Sequence, residues 1–294
     1  MRKGQLVANS QELIPETTSD GDWPALSIIQ AGAPEGDIIT GQVSAAAGRM
    51  AYLAVEQAVR VALNGRVAGL VTAPLKKEAL NLAGFHFVGH TELLDELTGV
   101  KSSVMMLAHG NMHVSHVTTH VALEDVPKRL TKERLRRVID LTHAAPRQFG
   151  YTRARIAVAA LNPHAGEGGL FGRQDMDISA PVIATCVADG LDVVGPVQGD
   201  TVFVKHRGGQ YDAVVAMYHD QGHIPVKLLG FHVDPATGKC DSLSGGNITL
   251  GLPIVRTSVD HGTAFDIAGQ GTASETSLLE AIEYAEHLAA AKPS

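Results

Sequence analysis

Short, mostly apolar runs that alternate with helical stretches along most of the chain leave few folds open. VAGLVT (67–72), SVMMLA (103–108), HVSHVTTH (113–120), RIAVAAL (155–161), LDVVG (191–195), AVVAM (213–217) and LPIVRTS (252–258) are of strand length. Among them lie an Ala-rich periodic segment at 42–63 closed by Asn64-Gly65, a short helix LKKEALNLAG opened by Pro74, and helices over about 132–148 and 178–189. SLLEAIEYAEHLAAA closes the series as a final helix. Strands interleaved with helices call for an α/β fold on a largely parallel sheet. Strands this apolar suit a sheet covered on both faces, where ligands gather beyond the carboxyl ends of the strands.

Composition narrows the partners. With 45% hydrophobic but only 4% aromatic residues, the core of this 294-residue chain must come from Ala, Val, Leu and Ile. A formal charge of -7 gives no electrostatic footprint for nucleic acid or an anionic membrane. No run approaches the ~20 apolar residues of a membrane span. The opening MRKGQLVANSQELIPE lacks the apolar core of a secretory signal. Cys186 and Cys240 make neither a disulfide framework nor a CxxC zinc motif. A cytoplasmic protein is expected. The first forty residues are weakly patterned, with a strand expected at Leu26–Ile29.

Histidine, at 14 copies, is the unusual count. HVSHVTTH ends in His120, RIAVAALNPHAGEGG carries His164 just past its strand, and AVVAMYHDQG carries His219. Three strands thus each deliver an imidazole past a carboxyl end. Imidazole is the commonest metal ligand, and three leave a coordination position for substrate. A hydrogen-bonded structural role is the competing reading for each. GHTELL (89–94) sets His90 and Thr91 at a helix start suited to an anion, or simply capped by Thr91. Lys227, Asn247 and Arg256 lie near strand ends, where solvated surface residues are the alternative. HGTAFDIAGQGTA (261–273) is glycine-rich but lacks the GxGxxG spacing of a Rossmann fingerprint.

In order along the chain, VTAPLKKEAL, GHTELL, VTTH, NPHAGEGGLFG, GDTVF, YHDQGHIPVKLLGF and NITLGLPIVRTSVDHGTAFDIAG resemble the 4-hydroxythreonine-4-phosphate dehydrogenase family. The wording YHDQGHIPVKLLGF and DHGTAFDIA is most similar to its D-threonate or D-erythronate 4-phosphate branch. DHGTAFDIAGQGTA is also similar to the nucleotide-binding segment of isopropylmalate dehydrogenases.

The resemblance implies a two-lobed, non-Rossmann, isopropylmalate-dehydrogenase-like fold. Residues 1–100 and 250–294 would form the cofactor-side lobe, and 101–249 the metal, substrate and dimerisation lobe. It implies one divalent metal (zinc, cobalt, magnesium or manganese) on His120, His164 and His219. Substrate would contact His90, Thr91, Lys227, Asn247 and Arg256, and NAD, with NADP as the alternative, would contact His261, Gly262, Thr263, Ala264 and Asp266. Lys227 would act as general acid/base, with Asp220 and Asp200 orienting ligands or substrate. The implied assembly is a homodimer with a shared active site. The implied reaction is oxidation and decarboxylation of the phosphorylated hydroxy acid to dihydroxyacetone phosphate and CO2. Alternatives are 4-phosphohydroxythreonine oxidation for pyridoxal phosphate synthesis, oxidation of a cyclic dihydrodiol carboxylate, metal-assisted hydrolase or aldolase chemistry, and a catalytically silent metal- or phosphate-binding protein. Two departures stand out. The family's opening strand and GDPAGIGPE loop have no counterpart, so a first strand is expected to be missing, and HVDPATGKCDSLSGG (232–246) reads as an inserted surface loop.

Overall fold

Side-chain alternation along the strands sorts the core into two layers. In β4 (Val104–His109), Val104, Met106 and Ala108 enter one cluster while Met105 and Leu107 enter the other. In β6 (Ile156–Ala159), Ile156 and Val158 part from Ala157 and Ala159 in the same way. All of these residues are buried, so the sheet is covered on both faces, as the apolar runs require. The computed structural model describes residues 5–7, 27–33, 35–151, 154–233, 235–236 and 240–291.

Eight strands make the sheet, in the order β3 (Leu70–Thr72), β12 (Arg256–Val259), β11 (Gly246–Leu250), β4, β5 (Met112–His116), β8 (Ala213–Ala216), β6, β7 (Val193–Val197). The expected α/β fold is present. Four of the seven neighbour pairings are parallel, and the three antiparallel ones all involve β4 or β11. Strands from both expected lobes, β3 and β12 on one side and β4 to β8 on the other, share this one sheet. Because β5, β8 and β6 are parallel neighbours, their carboxyl ends lie along one edge.

Helices α5 (Lys132–Gln148), α6 (Ala180–Ala188) and α9 (Thr276–Ala290) cover one face through Leu135, Ile139, Ile183 and Leu288. Helices α7 (Gly199–Arg207) and α8 (His219–Gly230) cover the other through Val202 and Val226. A third cluster joins α1 (Ala45–Leu63) to α3 (His90–Thr98) through Val55, Val59, Leu93 and Leu94. Ser44 caps α1 by accepting the Ala47 N–H at 3.2 Å. Gly48 lets α1 meet α2 (Lys77–Leu82) closely, since a Cβ there would overlap the Ala79 backbone.

The stretch from His219 forms α8, with Asp220 in its first turn where a negative charge suits the helix dipole. One segment corrects the reading of the sequence. The segment 232–246, expected as a surface loop, contains β10 (Cys240–Leu243), which pairs antiparallel with β9 (Phe231–Val233) before the chain enters β11. The strand expected at 26–29 is found as β2 (Ser27–Ile29), paired in parallel with β1 (Gln5–Val7). The expected missing first strand bears on a stretch of which residues 1–4 and 8–26 lie outside the described residues. Among the described residues no helix is long and apolar enough to cross a membrane.

Candidate active site

Side chains just past the strands tie the carboxyl ends of β5, β8 and β6 together. Thr118 donates through Oγ1 to the Met217 carbonyl at 2.8 Å, joining β5 to β8. Gln221 accepts the Met217 N–H at 2.7 Å and donates to the Ala160 carbonyl at 2.8 Å, joining β8 to β6. Beyond β6, the buried Asp175 carboxylate accepts the backbone N–H of Leu161 at 2.8 Å and of Asn162 at 2.9 Å, plus the Asn162 side-chain amide at 3.0 Å. These bonds anchor the loop that carries His164. His164, Ala165 and Glu167 sit there at φ 51°, 54° and 41°, a left-handed conformation that costs an L residue roughly 1–2 kcal/mol.

A cavity of about 290 Å³ opens beside this edge. Its floor is the sheet itself. Register places Thr72 beside Ser258, Ser258 opposite Asn247, and Asn247 opposite Leu107, so one cross-strand row runs from β3 through β12 and β11 to β4. Alternation adds Arg256, two residues before Ser258 on the same face. The row is apolar where α8 covers it and polar where the cavity begins. Helix α3 closes another side: its N-cap is Gly89, with no side-chain cap, so its first N–H groups remain available at the cavity wall. Capping by Thr91 is therefore corrected, because the helix already starts at His90.

His90, Thr91, His120, His219, Lys227, Asn247, Arg256, His261 and Gly262 all line this one cavity. They come from positions more than 170 residues apart in sequence, Gly262 lying beyond His90 by 172. Arg256 is 2% exposed, not the solvated surface residue of the alternative reading. It donates to Thr249 Oγ1 at 2.9 Å and to Thr72 Oγ1 at 2.6 Å, while its Nε has no partner among the described residues. Asn247 Oδ1 is also buried and unpartnered. Such orphaned groups at a cavity floor are what a polar ligand would satisfy.

Burial and the charge of Arg256 pull His90 down to about 3, so its imidazole is neutral. Arg256 itself, buried with no ion pair among the described residues, is lowered by burial to about 9 and stays cationic at neutral pH. Burial lowers His120, helped by Lys77 and opposed by Glu92. Asp260, whose carboxylate lies 3.8 Å from Lys227 Nζ, is raised by burial against the pull of Lys227. Asp260, Lys77, Ser258 and His223 line the cavity without having been singled out from the sequence. For Asp260 the signal was VDHG at the end of a buried strand.

The rings of His120 and His219 lie 5.8 Å apart, and the His219 Nδ1–H donates to Asp220 at 2.7 Å. His223 stacks on His219 at 3.6 Å and donates from Nδ1 to its carbonyl at 2.9 Å. His164 does not join them. With Asp200 and Asp220 it lines a neighbouring cleft of about 570 Å³ on the other side of α8's start. Among the described residues no three His, Cys, Asp or Glu side chains of one chain are close enough to hold a metal. Thr263, Ala264 and Asp266 follow the cavity rim but do not line it; Ala264 is left-handed at φ 44°.

Comparison with known proteins places the chain in a family. The chain is 70% identical over 278 residues to a Bradyrhizobium diazoefficiens protein provisionally named D-threonate 4-phosphate dehydrogenase, covering 94% of this chain and 81% of that one. It is 49% identical over 249 residues to the D-threonate 4-phosphate dehydrogenase of Salmonella typhimurium, covering 85% and 73%. The crystal structure of 4-hydroxythreonine-4-phosphate dehydrogenase from Klebsiella pneumoniae superposes with a TM-score of 0.79 at 42% identity, over 98% of this chain and 83% of that one. Residues 5–285 match the family described as pyridoxal phosphate biosynthetic protein PdxA, and the chain belongs to that family.

Proposed function

We propose that this dehydrogenase oxidises and decarboxylates D-threonate or D-erythronate 4-phosphate, giving dihydroxyacetone phosphate and CO2, with NAD and one divalent metal. The observation that carries the reading is the buried, uncompensated Arg256 beside neutral His90 at an uncapped helix start, a site made for a phosphate, within one cavity of the paired imidazoles. The names of the relatives support the substrate class.

The residues fit a divalent cation. Asp220 fixes the Nδ1–H of His219 and leaves its Nε2 lone pair free, the arrangement of a metal-bound histidine. His120 stands beside it, and His164 would complete the set from a second copy of the chain, since within one chain it faces another cleft. Leu170, Phe171 and Leu228 are exposed on that side, as a dimer contact would need. Three imidazoles suit zinc or cobalt, and oxygen donors from the substrate beside them would admit magnesium or manganese. His261 and Gly262 at the rim, followed by Thr263, Ala264 and Asp266, would hold NAD, or NADP as the alternative. When bound, the cation supplies Lewis acidity at the substrate hydroxyl and the nicotinamide accepts the hydride.

Each of the chain's own residues then has a task. Arg256, His90, Thr91 and the first N–H groups of α3 hold the phosphate. Asn247 Oδ1 accepts from a substrate hydroxyl. Lys227, beside Asp260, takes the proton of the carbinol oxygen and returns one to the carbon that loses CO2. Asp200, exposed in the first turn of α7, orients the partner's side of the site.

Formation of NADH from D-threonate 4-phosphate, D-erythronate 4-phosphate and 4-phosphohydroxythreonine, measured side by side, tests the reading. Turnover of either sugar-acid phosphate well above the amino acid supports it. Preference for 4-phosphohydroxythreonine would assign the chain to the other activity named in its family.

A further inference from the structure

A buried guanidinium normally pairs with a carboxylate, because an isolated charge is costly in a low-dielectric interior. Arg256 departs from that rule. Burial alone perturbs it, and its hydrogen bonds among the described residues go to two neutral hydroxyls. Both threonines are themselves buried, at 6% and 4% exposure, so neither is there to meet solvent. Their origin is the sheet. Thr249 faces Arg256 where the antiparallel β11–β12 register continues past Ile248 and Thr257, and Thr72 reaches it from β3 on the parallel side. Two adjacent strands therefore hold the two guanidinium NH2 groups from opposite flanks. Nε has no partner among the described residues.

A carboxylate in either place would fix the guanidinium equally well but cancel its charge. A hydroxyl fixes it and leaves the charge for a ligand.

We propose that Thr72 and Thr249 are positioning residues that hold the Arg256 guanidinium, at full charge, toward the substrate's phosphate. The proposal rests on the reading of Arg256 as a phosphate partner. Valine at either position keeps the branched shape and removes the acceptor. One guanidinium N–H is then unpaired and the group is free to tilt. Serine keeps the acceptor.

The test is calorimetric titration of the full chain, without NAD so that no turnover occurs, with D-threonate 4-phosphate and separately with inorganic phosphate. Wild type, Thr72→Val, Thr249→Val, Thr72→Ser, Thr249→Ser and Arg256→Lys are compared, each with its melting temperature. Both valine variants should lose affinity by roughly tenfold to a hundredfold, the scale of one hydrogen bond to a charged group. Both serine variants should recover most of it. A merely structural threonine would move the melting temperature and leave affinity alone. Valine variants that bind as wild type, or serine variants that bind no better than valine, overturn the proposal. Wild-type affinity in Arg256→Lys overturns it together with the phosphate-partner reading. A wild type that ignores D-threonate 4-phosphate but binds inorganic phosphate with the same threonine dependence removes the substrate reading and supports the positioning role. Binding of neither probe overturns both.

Discussion

His219 and Asp220, consecutive in the chain, are joined by a 2.7 Å hydrogen bond from imidazole Nδ1–H to carboxylate at the first turn of α8. The bond fixes the tautomer and turns Nε2 away from Asp220. If that nitrogen serves a metal, Asp220→Ala should weaken divalent-metal binding about 10- to 100-fold, the usual cost of losing such a carboxylate. Asp220 is largely exposed, so the melting temperature of the metal-free protein should barely move. Unchanged metal affinity by titration would remove Asp220 from the site.

Placement of His164 in a separate cleft gives a sharper test of the shared-site reading. His164→Ala and His219→Ala should each be inactive alone. Mixed and allowed to exchange subunits, they should regain about a quarter of wild-type activity, because half the dimers carry one intact site of two. No recovery after proven exchange would place all ligands in one chain.

Acid should destabilise this protein through histidines remote from the cleft. His113 is buried against Phe149, and burial lowers it from 6.5 to about 4. His206 accepts the His113 backbone N–H at 3.1 Å and donates from Nδ1 to the Tyr211 carbonyl at 2.8 Å, so both nitrogens are committed in the neutral form. A depressed histidine leaves the unfolded chain binding more protons between the two values. Its contribution is therefore complete above 6.5, is lost as pH falls from 6.5 to about 4, and changes no further below that. For His113 the loss is on the order of 3 kcal/mol. Urea midpoints measured between pH 7.5 and pH 4.5 should fall, and His113→Phe should flatten the slope. An unchanged slope would mean that other groups set the acid limit.

Removing the charge of Arg256 should have opposite effects on stability and binding. Arg256→Met deletes a buried, uncompensated cation, so the ligand-free protein should gain about 1 kcal/mol or more, as buried ionic groups replaced by apolar ones often allow. Phosphate-ester binding should disappear. A lower melting temperature would show that the two threonines already compensate the charge.

Much of the fold could be read from the chain because several buried strands are uninterrupted apolar runs. β4, β6 and β8 announce themselves in SVMMLA, RIAVAAL and AVVAM. β11 does not: GNITL carries Asn247 and Thr249 inside the sheet, where Asn247 floors the cavity and Thr249 accepts from Arg256, and polar residues break the pattern that marks a strand. α8 was hidden for the same reason, since its first two turns carry His219, Asp220 and His223 rather than an apolar stripe. Polar residues erased the local signal in both. The candidate site residues His90, Lys227 and Arg256 were legible through motif resemblance, and the cavity unites them. Thr72, Thr249 and Asp260 are placed by register and burial, which one-dimensional spacing does not display.

The central claim, oxidation coupled to decarboxylation of a 4-phosphorylated hydroxy acid, is tested most directly by counting products. The metal-loaded protein is incubated with NAD and D-threonate 4-phosphate carrying an isotopic label in its carboxylate, and NADH, labelled CO2 and dihydroxyacetone phosphate are measured together. The expected result is equal yields of all three, abolished by Lys227→Ala. NADH without labelled CO2, or no NADH at all, would contradict it.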